Sequence, residues 1–116
     1  MKLKSIYCLA VLSAVAALPA HAKNVRSEEQ AIRRVSESVA RNHLTSQKPE
    51  CLMFMAEKTR NGYMVDVREK HDAQCGGDPA TAPRLFSYEI DRRSGKMKTD
   101  AAAPNGEWTG EYRAID

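Results

Sequence analysis

The sequence predicts an α+β fold, with one N-terminal amphipathic helix packed on an antiparallel sheet of three to five strands, and three observations predict it. Apolar residues recur at helical spacing from Ala31 to Ala40. Two later runs, Tyr63-Val65-Val67 and Phe86-Tyr88-Ile90, alternate with polar residues in the two-residue period of a half-buried strand. Turn-forming residues, Asn61-Gly62 and Ser94-Gly95 among them, separate these runs, so the strands form hairpins against which the helix buries its stripe.

The first residues read as an export signal. Lys2 and Lys4 form a basic start, Ile6 to Leu18 is an almost unbroken apolar run, and Ala20-His21-Ala22 has the small-x-small pattern of a cleavage site. The run is shorter than the ~20 residues of a membrane-spanning helix. Cleavage is expected after Ala22, which leaves residues 23–116 as a single small domain in the periplasm, or released outside the cell. Cys8 lies inside the run and not at its end, where a lipidated cysteine would stand, so no membrane anchor is expected.

Cleavage also removes the basic excess. The chain has 18 Lys and Arg against 15 Asp and Glu; without Lys2 and Lys4 the count is 16 against 15, a net charge of +1. A nucleic-acid partner is not expected on this balance, because such domains concentrate basic residues on one face. Arg33-Arg34 and Arg92-Arg93 read as separate solvated pairs. Of the 3 cysteines, Cys51 and Cys75 remain after cleavage, and in an oxidising compartment they are expected to pair. Small exported domains commonly supplement a limited core in this way.

Along the chain, Ser27 and Gln30 have capping-box spacing, and Glu28 and Glu29 suit the positive end of the helix dipole. Ala31, Ile32, Val35, Val39 and Ala40 form the apolar stripe, Ser38 falls outside it, and the helix ends near Asn42 to Leu44 with His43 at its close. After a loop containing Pro49, Cys51–Lys58 pairs with Tyr63–Lys70 in a hairpin with Asn61-Gly62 at the tip. That register places Cys51 opposite about Asp72, within reach of Cys75 after a bend following His71. Phe86–Ile90 forms a third strand, Asp91–Lys96 a turn, and Met97–Thr99 a short fourth strand. Glu107–Ile115 reads as a last strand, with a helical turn on the sheet as the alternative.

Three stretches together, Glu28-Glu29-Gln30-Ala31-Ile32, Tyr63-Met64-Val65-Asp66-Val67 and Tyr88-Glu89-Ile90-Asp91-Arg92-Arg93-Ser94-Gly95-Lys96-Met97, resemble the order of elements in PepSY-type modules. The resemblance implies an exported α+β module with a Y-x-V strand and a strand ending in D-x-x-[ST]-G-K. It also implies the link to peptidase inhibition that some such modules have. The Cys75-Gly76-Gly77-Asp78-Pro79 segment departs from that pattern.

This segment is where function is expected. Between His71 and Arg84, Gly76-Gly77 opens conformations that other residues avoid, Asp78-Pro79 promotes a turn, and Pro83 holds Ala82 extended. A loop stiffened by prolines and tied by a disulfide loses less entropy on docking. The candidate binding residues are His71, Asp72, Gly76, Gly77, Asp78, Pro79 and Arg84, with Asp78 and Arg84 as polar anchors and His71 at the base. The alternative is an ordinary long connection.

Other chemistry is less favoured. A Ser-His-Asp system would need His71 with Asp72 or Asp78 and a serine such as Ser87, but no nucleophile elbow or oxyanion loop marks one. His71, Cys51, Cys75 and Asp72 or Asp78 could supply zinc ligands, but cysteines in a disulfide cannot also bind metal. No catalytic residue, metal or cofactor is therefore assigned. Tyr63, Phe86, Tyr88, Trp108 and Tyr112, together with Met53, Met55 and Met64, read as core before they read as a ligand groove. The expected function is a non-enzymatic protein-binding module, an inhibitor or immunity protein acting on a cell-wall hydrolase or protease. The alternative is a small-ligand or envelope-component binding protein using the sheet face.

Overall fold

Helix α1 spans Glu28–Arg41, and the residues on either side of it satisfy its ends. The structure, a computed structural model, describes residues 23–116; the expected signal segment and its cleavage site lie outside the described residues. Ser27 Oγ accepts from the Gln30 N–H at 3.1 Å, and Gln30 Oε1 accepts in return from the Arg26 N–H at 2.8 Å. At the other end the Leu44 N–H donates to Val39 O and the His43 N–H to Ala40 O, the paired closure of a Schellman motif. His43, with φ of 50°, occupies the left-handed position that glycine usually takes there.

The helix buries Ala31, Val35, Ser38 and Val39. Ala40, expected in the stripe, is exposed, and Ser38 takes a core place instead. Ser38 is one helical turn beyond Val35 on the same face, and its hydroxyl is 2.8 Å from the hydroxyl of the fully buried Tyr88, so each satisfies the other.

Five strands follow: β1 (Leu52–Lys58), β2 (Gly62–Glu69), β3 (Arg84–Asp91), β4 (Met97–Thr99) and β5 (Arg113–Ile115). They form one antiparallel meander in sequence order, with α1 against β1 and β2. The expected α+β class, the third and fourth strands and the last strand are all present, the last one short. The helix-facing side of the sheet carries Tyr63, Val65 and Val67, then Phe86, Tyr88 and Ile90, then Met97 and Ile115, all buried. Leu52, Phe54 and Ala56 of β1 complete it at the edge. One irregularity interrupts the ladder: Val67 faces Phe86 but Arg68 faces Arg84, so Leu85 is the extra residue of a bulge where the long loop rejoins the sheet.

The first hairpin turns one residue earlier than expected. The Thr59 N–H donates to Gly62 O at 2.9 Å, which leaves Arg60 and Asn61 at the tip and makes Gly62 the first residue of β2. Glycine is needed here by the neighbouring strand: a Cβ on Gly62 would lie 1.8 Å from the carbonyl oxygen of Ile90. Cys51 consequently lies beside Lys70, whose N–H donates to Cys51 O at 2.8 Å, and not opposite Asp72. A partner shift of two residues preserves the faces, which is why the strand patterning survives the correction.

The core also excludes residues expected in it. Met53 and Met55 are 36% and 54% exposed, and Met64 is half-buried. These residues alternate with the inward ones onto the sheet face away from α1. Tyr63, Phe86 and Tyr88 are core as expected, whereas Trp108 is 63% exposed and Tyr112 is 36% exposed. Both lie in or beside the connection from β4 to β5, beyond the apolar cluster.

Candidate functional site

Residues 70–83 connect β2 to β3 around the open end of the first hairpin, and nearly every candidate residue lies there. The disulfide Cys51–Cys75, with Cα atoms 5.5 Å apart, pins the loop to the start of β1, as expected. Asp72 organises the first turn: its Oδ1 accepts from the Gln74 N–H at 2.9 Å and the Cys75 N–H at 2.7 Å, while its carbonyl accepts from the Gly76 N–H. The Cys75 hydrogen bond, more than the Gln74 bond or the nearby Lys70 ammonium, holds the Asp72 carboxyl below its ordinary pKa.

His71 joins the second half of the loop to the sheet. Its Nδ1 is 2.8 Å from Asp78 O and 3.1 Å from Thr81 Oγ1, and its Nε2 is 2.8 Å from Glu69 Oε2. Gly77, with φ of 80°, lies against the imidazole so closely that a Cβ would come within 2.6 Å of the ring. Asp78 Oδ1 then accepts from the Ala80 N–H, and Asp78 O accepts from the Thr81 N–H and hydroxyl. The crest, Gly76 to Thr81, is exposed, yet its turns are tied from beneath.

Of the three partners of His71, the Glu69 carboxylate and the Asp78 carbonyl set its protonation. A backbone carbonyl and an ionised carboxylate only accept, so both ring nitrogens donate at once only in the imidazolium. The Glu69 carboxylate first, and the Asp78 carbonyl second, raise the His71 pKa above its ordinary value of 6.5, against the opposing effect of burial. A raised folded pKa means that the stabilising contribution is complete below the unfolded value, ~6.5, and is lost as pH rises through the higher folded value. The lowered Asp72 pKa acts in the other direction: its contribution is present above the unfolded value, ~3.9, and is lost as pH falls through the folded one. Amide-exchange protection of residues 72–81 should therefore be greatest between about pH 5 and about pH 6.5, and His71→Gln should remove the decline on the alkaline side. Protection that stays level from about pH 5 to about pH 8 would show that His71 does not hold the loop.

Arg84, expected as an anchor of the loop, belongs to β3. Its Nη1 donates to Asp100 Oδ2 at 3.0 Å and to Ser87 Oγ at 3.1 Å, so its guanidinium is held on the sheet face away from α1. Ser87 Oγ in turn donates to Asp66 Oδ1 at 2.6 Å, and its N–H donates to Asp100 Oδ1 at 2.7 Å. Arg68, beside Asp66, donates to Ala82 O at 2.9 Å and links this face to the returning arm of the loop. Ser87 and His71 thus bond to different partners, and the Ser-His-Asp grouping considered from the sequence is not assembled. The zinc set is likewise dismantled, because Cys51 and Cys75 are joined to each other.

Glu69 and Thr81 are essential to this arrangement and were not among the sequence candidates. Glu69 carried a signal, since a residue two before His71 at a strand end projects to the same side. Thr81 carried none. Compared with known protein families, with characterised proteins and with solved structures, the chain matches none.

Proposed function

We propose that the protein is a periplasmic, non-enzymatic protein-binding module, an inhibitor or immunity protein whose 71–84 loop enters the cleft of a cell-wall hydrolase or protease. In this reading residues 1–22 are a cleaved signal, α1 is the N-terminal helix of the exported domain, and the chain is PepSY-like. The observation that carries it is the exposed crest Gly76–Thr81 held by His71 through Asp78 O and Thr81 Oγ1. A crest whose turns are already bonded has little conformational freedom left to lose on binding, and affinity rises as that cost falls. The second carboxylate oxygen of Asp78 makes no hydrogen bond among the described residues and is the polar anchor. Pro79 beside it fixes the backbone.

The test is capture of partners from periplasmic extract by the wild-type protein and by Asp78→Ala/Pro79→Ala, with Arg84→Ala as a separate arm. The crest variant should lose a protein that the wild type retains. Recovery of the same proteins by both would remove the loop from the mechanism. A second reading has support from the sheet face away from α1, where Met53 and Met55 are exposed and Tyr112 lies beside Ser87 and Arg84. A small ligand bound there would copurify with the folded protein, and its recovery would be reduced by Met55→Glu.

A further inference from the structure

At the end of the sheet opposite the 71–84 loop, the turn after β1, the turn after β3 and the residues before α1 meet around a concavity of about 620 Å³. Arg26, Lys58, Arg92 and Arg93 line it, with buried Val25 and Tyr63 at its base, and no carboxylate is among its lining residues. Backbone bonds hold the segments together: the Val25 N–H donates to Arg92 O at 2.9 Å and the Arg92 N–H donates to Asn61 O at 3.0 Å. Among the described residues none of these four side chains makes an ion pair or a side-chain hydrogen bond, whereas Arg41, Arg68 and Arg84 are each paired with a carboxylate. Asp91, next to Arg92, does not line the concavity; its Oδ1 accepts from the Arg93 N–H and from the Ser94 N–H and hydroxyl.

Four positive charges line the concavity and the Asp91 carboxylate, near Arg93, offsets only part of them, so they repel one another and focus a positive potential into the space between them. Arginine guanidinium groups pair phosphate oxygens two at a time, and lysine adds a mobile point charge. We propose that this concavity is a binding site for a compact anion with adjacent phosphates, the chemistry of a diphosphate, either free or carried on a lipid headgroup. The site is distinct from the 71–84 loop and does not depend on the function proposed for it.

Calorimetric titration of the purified protein with inorganic pyrophosphate tests the assignment. Saturable binding is expected, and Arg92→Gln/Arg93→Gln should weaken it roughly tenfold or more, the loss expected for charge-assisted bonds. Only the backbone of Arg92 makes the bonds that join the segments, so the variant retains them. Arg33→Gln/Lys98→Gln removes the same charge from exposed residues that do not line the concavity and should leave the affinity within about twofold. Absence of saturable binding, or an equal loss in both variants, would overturn the proposal. Sedimentation with phosphatidylcholine vesicles that carry a polyprenyl diphosphate, but not with phosphatidylcholine vesicles alone, and its reversal by pyrophosphate would support the headgroup as the source. Pyrophosphate binding without sedimentation would support the free anion.

Discussion

Replacing Cys51 and Cys75 together by alanine should lower the unfolding free energy by about 3 kcal/mol, the chain-entropy value for a cross-link of this span. The cysteines are 24 residues apart, and the segment between them contains the whole of the β1–β2 hairpin. The cross-link acts chiefly on the unfolded chain, so its removal should also raise the urea m-value as the denatured ensemble expands. Against a total stability of ~5–15 kcal/mol for a domain, this is a large share. The apolar cluster between α1 and the sheet does not include either cysteine, so the variant should still fold below its lowered midpoint. Urea unfolding at a fixed pH measures both quantities. An unchanged midpoint would mean that the disulfide contributes nothing beyond what the loop's hydrogen bonds already supply.

Gly62→Ala should be nearly as costly, about 2–3 kcal/mol, although it adds a single methyl group. The clash is with backbone: the added carbon would meet Ile90 O at 1.8 Å and Arg92 N at 2.8 Å, and neither can move as a side-chain tip can. Relief requires β2 and β3 to separate where Gly62 faces Asp91, which also strains the bond from the Arg92 N–H to Asn61 O. The melting temperature should fall by roughly 10 °C or more for a domain of this size. A melting temperature equal to that of the wild type would show that the two strands are not in this close register. Gly76→Ala makes a useful contrast, because no atom lies within 4 Å of its added carbon and only its positive φ opposes the change.

Each sequence pattern was legible to the extent that it encodes a local property of the chain. Tyr63-Val65-Val67 and Phe86-Tyr88-Ile90 were legible because alternation reports one covered face directly, and Ser27-Gln30 because capping is local. The methionines were misread because the run from Cys51 to Ala56 is apolar on both sides, and only the position of α1 decides which side is covered. Asn61-Gly62 gave the right hairpin and the wrong tip, since the glycine answers to Ile90, a residue far along the chain. The disulfide was legible from the cysteine count, and His71, Asp72, Gly77 and Asp78 were singled out from turn chemistry. Their bonding to Glu69 and Thr81 was not legible, because it depends on how the loop folds back over the end of β2. Arg92-Arg93 was read as a separate solvated pair because only the fold brings Arg26 and Lys58, from two other segments, beside it.

Backbone order parameters from nuclear spin relaxation, measured near pH 6 on the free protein, test most directly whether the crest of the 71–84 loop is formed before any partner arrives. For Gly76, Gly77, Asp78, Ala80 and Thr81 the values should match those of β2 and β3, about 0.8 or higher. Values below about 0.6 across the crest, with the strands rigid, would contradict the account of a preformed binding loop.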